Sequence, residues 1–192
     1  MYYSITPTLY NSYYYFVNSD SNDDTDFLNM LSRVRTPPTP LMLDGLKFEE
    51  DVYYAIRTSN MSFDPLITEI AEICKNGVIQ YKLSRTLTDN IEVHGIADVV
   101  TPTRIYDIKK VKSYSLGKYM NSIQHLIYMF ATEINEFEYL ICDGSTVYRE
   151  FYKYNEQEHQ KLISNINTMI DFILSTEKYK IPFLKYWTVN YG

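Results

Sequence analysis

The sequence predicts an α+β fold: a central mixed β-sheet flanked by helices. Three observations carry that expectation. Apolar residues recur at helical spacing up to about residue 75, β-branched stretches alternate from 78 to 111, and a second strand pair turns near residue 143. Hydrophobic residues make up 45% of the 192-residue chain, which supports one well-filled domain and excludes disorder throughout.

Near the N-terminus, Thr6-Pro7 marks a helix start, since proline suits the first turn, and residues 3–18 are expected to form one short helix. Residues 19–26 are polar and acidic, an expected loop whose last residues cap a helix near 27–34. The segment TPPTP, residues 36–40, should be extended because its prolines lack amide donors and disfavour helix before them. A longer helix is expected from about Asp44 to Arg57, with Leu46, Val52 and Ile56 turned inward. Residues 65–75 repeat helical spacing through Leu66, Ile70 and Ile73, and Asn76-Gly77 supplies the stop.

Residues 78–87, 92–100 and 103–111 then read as three sequential antiparallel strands. Gly95 and Ala97 leave the face opposite Asp98 open to a closely packed helix. The strongest helix is expected at 115–134, followed by a hairpin of 138–142 and 146–154 turned at Asp143-Gly144. A last helix over 156–175 precedes an aromatic tail, IPFLKYW. Without internal repeats, 1–192 should be a single domain: an N-terminal helical and loop region (1–40), a core (44–154) and a C-terminal helix with tail (155–192).

The stretch HGIADVVTPTRIYDIKK, from His94 to Lys110, carries the chemistry. With its turn at Pro102-Thr103, positions summing to 205 face each other, which sets Asp98 opposite Asp107. Opposed side chains lie about 4.5–5.5 Å apart at Cβ, and two like charges that close need a positive group between them. Lys109 shares the Asp107 face by strand alternation. Two carboxylates and an ammonium on one patch point to a divalent-cation site suited to phosphodiester hydrolysis. Magnesium takes oxygen ligands and keeps several waters, so Asp98, Asp107 and the backbone carbonyl of Ile108 could form most of a site. Lys109 would orient water, and Glu49 is the best third carboxylate, although a solvated acidic face shared with Glu50 and Asp51 is nearly as good a reading.

Formal charge is −6 and the isoelectric point near 5.1, which argues against a protein that coats nucleic acid through a global positive field. Between Arg104 and Lys118, however, five basic residues face the single acid Asp107. From that patch Arg104, Lys112 and Lys118 are candidate phosphate contacts. Cys74 and Cys142 lie in apolar surroundings and are expected to be buried thiols. No apolar run is long enough for a membrane span, so a cytoplasmic protein is expected. Twenty tyrosines fit stacking or packing equally with an A/T-rich coding sequence.

Four elements in order resemble the PD-(D/E)XK nuclease superfamily, and within it the RecB-like and lambda-exonuclease-like branch. They are Gly45 with Glu49 four residues on, Gly95-Ile96-Ala97-Asp98, Asp107-Ile108-Lys109, and Gln124 with Tyr128 four residues on. The opening ITPTLYNSYYYF is similar to the helix that precedes the first motif in such proteins. The resemblance implies a DNA exonuclease of recombination or repair, in a phage or bacterial setting, using Mg2+ or Mn2+ held by Glu49, Asp98, Asp107 and the Ile108 carbonyl. It further implies that Lys109 assists the water, Gln124 supports the site, and Tyr128 contacts phosphate or braces the ligands. Relatives with an iron–sulfur cluster use four cysteines, so no cluster is expected here. A homo-oligomer encircling DNA is a further implication of the resemblance. The competing reading is a retired nuclease fold serving as a binding or inhibitory module.

Overall fold

A computed structural model describes residues 2–59 and 64–189. In chain order the elements are β1 (Tyr2–Ile5), α1 (Pro7–Val17), α2 (Thr25–Leu31), α3 (Pro40–Thr58), α4 (Pro65–Ile73), β2 (Val78–Thr88), β3 (Ile91–Val100) and β4 (Ile105–Lys110). They continue with α5 (Gln124–Thr132), β5 (Glu136–Cys142), β6 (Val147–Lys153), α6 (Glu156–Leu174), α7 (Glu177–Tyr186) and β7 (Thr188–Val189). The sheet runs β6-β5-β4-β3-β1-β7, with β2 also on β3. It is mixed, since β4 and β5 are parallel while β2, β3 and β4 form the expected antiparallel meander.

Strand β3 organises the sheet. β2 holds one of its edges from end to end, so β1 and β4 share the other. β1 pairs with Ile91–Val93 and β4 with Val99 and Val100. Among the described residues, no strand pairs with residues 94–98 on that edge. Helices cover both faces. One face packs Val99, Tyr106, Ile108 and Leu140 against Phe48, Val52 and Tyr53 of α3 and Ile67 and Ile70 of α4. The other buries a larger core under α1, α2, α5, α6 and α7. Much of that core is aromatic: Phe27 lies 5.3 Å from both Phe16 and Tyr179, ring to ring. Packing thus explains many of the tyrosines.

The elements depart from the sequence reading in four places. The first residues are not all helix, because Tyr2–Ile5 pair with β3 before Thr6 caps α1. Proline 40 does not prolong an extended segment; it occupies the first position of α3, with the Thr39 hydroxyl capping the Met42 amide. α3 buries Phe48, Val52, Tyr53 and Ala55, and Leu46 lies off that face, 58% exposed rather than buried. The expected helix over 115–134 shrinks to Gln124–Thr132. Its first half is a chain of turns, Lys118 to Ser115, Met120 to Gly117 and Ser122 to Tyr119. Gly117 there adopts φ +79°, and buried Glu150 accepts from its amide (2.9 Å) and from the Tyr114 hydroxyl (2.5 Å). Finally, the aromatic tail is α7 and β7; Phe183 and Trp187 enter the core, and the Trp187 indole donates to the Leu31 carbonyl.

His125 on α5 is buried and stacks on Tyr152 at 4.1 Å. Burial, with help from Lys161, pushes its pKa from 6.5 down to about 3. A depressed imidazole contributes stability above the unfolded pKa and loses it as pH falls toward the folded value. At pH 5 that loss is about 2 kcal/mol at ~1.4 kcal/mol per unit. Asp107 and Glu49, whose pKa values are raised, titrate in the opposite sense, so the readout is a difference. His125→Phe should lose about 2 kcal/mol less than the parent between pH 7 and pH 5 in chemical denaturation; equal losses would refute the assignment.

Candidate active site

The turn Thr101–Arg104 is closed by Thr101, whose amide and hydroxyl both donate to the Arg104 carbonyl. It sets Val99 against Tyr106 and Val100 against Ile105, the register inferred from the sequence. Beyond these pairs the strands part, and the next residues, Asp98 and Asp107, line the fork rather than facing each other in a ladder. The ladder is irregular at Asp98 without losing register: Gln80, opposite it on β2, adopts φ +51°, and residues on either side change face, Ala97 and Val100 entering one core and Val99 the other.

In the fork, Asp98 accepts from the Ile108 amide (2.7 Å) and from the Tyr53 hydroxyl (2.9 Å). Asp107 accepts from the Gln124 amide (2.6 Å), and its other oxygen lies 2.5 Å from the Lys109 ammonium. Tyr128, one turn beyond Gln124 on α5, donates to the Ile96 carbonyl at 2.8 Å. That carbonyl belongs to the stretch of β3 whose outer edge lacks a strand. Close approach of α5 is possible because residue 95 is glycine: a Cβ there would sit 2.5 Å from the Tyr128 ring.

Burial dominates the electrostatics. It raises the Asp98 pKa against the pull of Lys109, the Ile108 amide and Tyr53. It pushes Asp107 up to about 7, with Lys109 opposing and Asp98 adding to the rise. For Lys109, burial acts downward, but the Asp107 and Asp98 carboxylates outweigh it and hold the ammonium charged. Glu49, half-buried on α3, is pushed up to about 7 by burial and by Asp98. Three acids therefore share one neighbourhood with a single cation.

The site thus gathers Asp98, Asp107, Lys109, Gln124 and Tyr128, with Glu49 inside its field. Among the described residues, no three His, Cys, Asp or Glu side chains converge closely enough to hold a metal by themselves. Arg104 is not brought here: it binds Glu136 (2.7 Å) and Glu138 (3.1 Å). Lys112 is exposed, and Lys118 lines a cavity that Lys109 also lines. Cys74 and Cys142 are buried and free. Among the described residues, no helix is long and apolar enough to cross a membrane.

Sequence reasoning missed Tyr53. Its signal was the spacing, since it follows Glu49 by four residues on α3 and so shares a helix face with it. Tyr53→Phe removes the hydroxyl that fixes Asp98. If the fork is catalytic, the variant should lose about 10–100-fold in activity, as groups that orient ligands commonly do, with its fold intact by circular dichroism. Wild-type rates would show the contact to be irrelevant.

Solved structures share this fold, two of them named as exonucleases. One is LHK-Exo, an alkaline exonuclease from Laribacter hongkongensis solved with dAMP: TM-score 0.56, 9% identity, covering 92% of this chain and 90% of that one. A candidate exonuclease from Eubacterium rectale gives 0.57 at 11% identity, over 94% and 82% of the two chains. SSO0001 gives 0.61 at 13% identity, over 90% and 77%. No protein-family model matches the chain, and no curated protein matches it in sequence. At these identities the likeness establishes the fold.

Proposed function

We propose that this protein is a metal-dependent DNA nuclease of the PD-(D/E)XK type that digests from an end, in recombination or repair. The observation that carries the reading is the convergence of Asp98, Asp107 and Lys109 where β3 and β4 part, with Gln124 and Tyr53 each bonded to one aspartate. The solved structures of similar fold that are named as exonucleases support it.

The donors fit a hard cation. Magnesium is held by one or two carboxylates and retains waters, so Asp98 and Asp107 suffice, joined by the Ile108 carbonyl and with Glu49 as a further carboxylate. Buried acids with raised pKa values are short of positive charge, the condition a divalent ion relieves. When bound, such an ion acidifies water and offsets charge on the phosphate. Lys109 presents its ammonium to the attacking water and the phosphate oxygens. Gln124 and Tyr53 hold the two carboxylates in place, and Tyr128 fixes the middle of β3.

The test is digestion of end-labelled linear DNA and closed circular DNA with magnesium, beside an Asp107→Ala control. Loss of the linear substrate alone supports the proposal. Cutting of the circle replaces end-digestion with internal cleavage, and no difference from the control removes the enzyme reading in favour of a binding module.

A further inference from the structure

A cavity of about 340 Å³ opens beside the fork, with Lys109 and Gln124 on its inner wall. That is within the usual range of small-ligand pockets, about 300–1,000 Å³. Its other walls come from α1 and from the turns between β4 and α5. α1 contributes Asn11, Tyr14 and Tyr15; the turns contribute Lys118, Tyr119 and Asn121. The turns are held in place, while several of the polar groups on the walls are uncommitted. Glu150 pins the turns through Tyr114 and Gly117, and Tyr119 stacks on buried Tyr139 at 4.6 Å. Among the described residues, the side-chain amides of Asn11 and Asn121 have no hydrogen-bond partner, and Lys118 has no acidic one. Tyr15 leaves 72% of its surface in solvent, which packing does not explain.

Aromatic rings with free surface, amides that both donate and accept, and lysines for phosphate are the features that bind an unpaired nucleotide. A duplex keeps its bases stacked and its pairing edges occupied. We propose that this cavity takes the unpaired nucleobase at a DNA end, stacked on Tyr15, so that the substrate is a single-stranded end delivered beside Lys109. The proposal rests on the nuclease reading for its substrate, but its test does not require hydrolysis.

The test is binding in EDTA, by fluorescence anisotropy, of two internally labelled single strands: one intact, the other identical but abasic at both terminal nucleotides. The wild-type protein should prefer the intact strand by about fivefold or more, the usual effect of losing one stacked base. Tyr15→Ala should bind both strands equally, as weakly as the wild type binds the abasic one, while Tyr15→Phe keeps the preference. Wild-type indifference to the terminal base, retained preference in Tyr15→Ala, or failure to bind either strand would overturn the proposal. Preference for the intact strand without magnesium-dependent digestion would leave the pocket standing and remove only the nuclease activity.

Discussion

Replacing Asp107 by alanine or by asparagine is expected to lower magnesium-dependent cleavage about 10³-fold or more. A metal ion stabilises a phosphoryl transition state by several kcal/mol, and each 1.4 kcal/mol is tenfold in rate. The pair of substitutions separates charge from shape. Asparagine keeps an oxygen that can accept from Gln124, so the α5 contact survives, but the charge facing Lys109 is gone. Equal losses in both variants would assign the effect to the carboxylate's charge. An active asparagine variant would mean that Asp107 only holds α5 against the sheet, and its assignment as a metal ligand would fail.

Gly95→Ala is expected to destabilise the fold by about 1–3 kcal/mol, the usual cost of overpacking. An added Cβ would meet the Tyr128 ring at 2.5 Å, and that ring is buried and tied by its hydroxyl to the Ile96 carbonyl. For a chain this size each kcal/mol moves the Tm by about 2–4 °C. Activity should fall as well, because displacing Tyr128 also displaces Gln124 one turn earlier. Combining Gly95→Ala with Tyr128→Leu should cost less than the two changes added, since they relieve one clash. Additive costs, or an unchanged melting temperature, would show that α5 is free to move away.

Much of the fold was readable in order along the chain. Alternation located β2, β3 and β4, and the register through Val99 and Val100 followed from the turn. Gly95 was legible as a place for close helix approach. Helix limits were less so. Proline at a helix start and proline in an extended run look alike until the Thr39 cap is in place. The stretch before α5 carries apolar spacing that would suit a helix, but a buried carboxylate from β6 commits it to turns. Tyr53 carried only the four-residue spacing from Glu49 as a signal, because its partner, Asp98, lies 45 positions away in sequence.

The order of acids and lysine, their spacing and their strand context are properties of the sequence, because alternation and turn chemistry act over a few residues. Whether those charges share one hollow is decided by the tertiary structure. β4 leaves β3 after two pairs to run beside β5, and the fork this opens is lined from one side by α3 and from the other by α5. The reason is physical: parallel pairing with a distant strand and burial under distant helices are long-range effects. They set which carboxylates lose water and which cation answers them, and no local pattern encodes either.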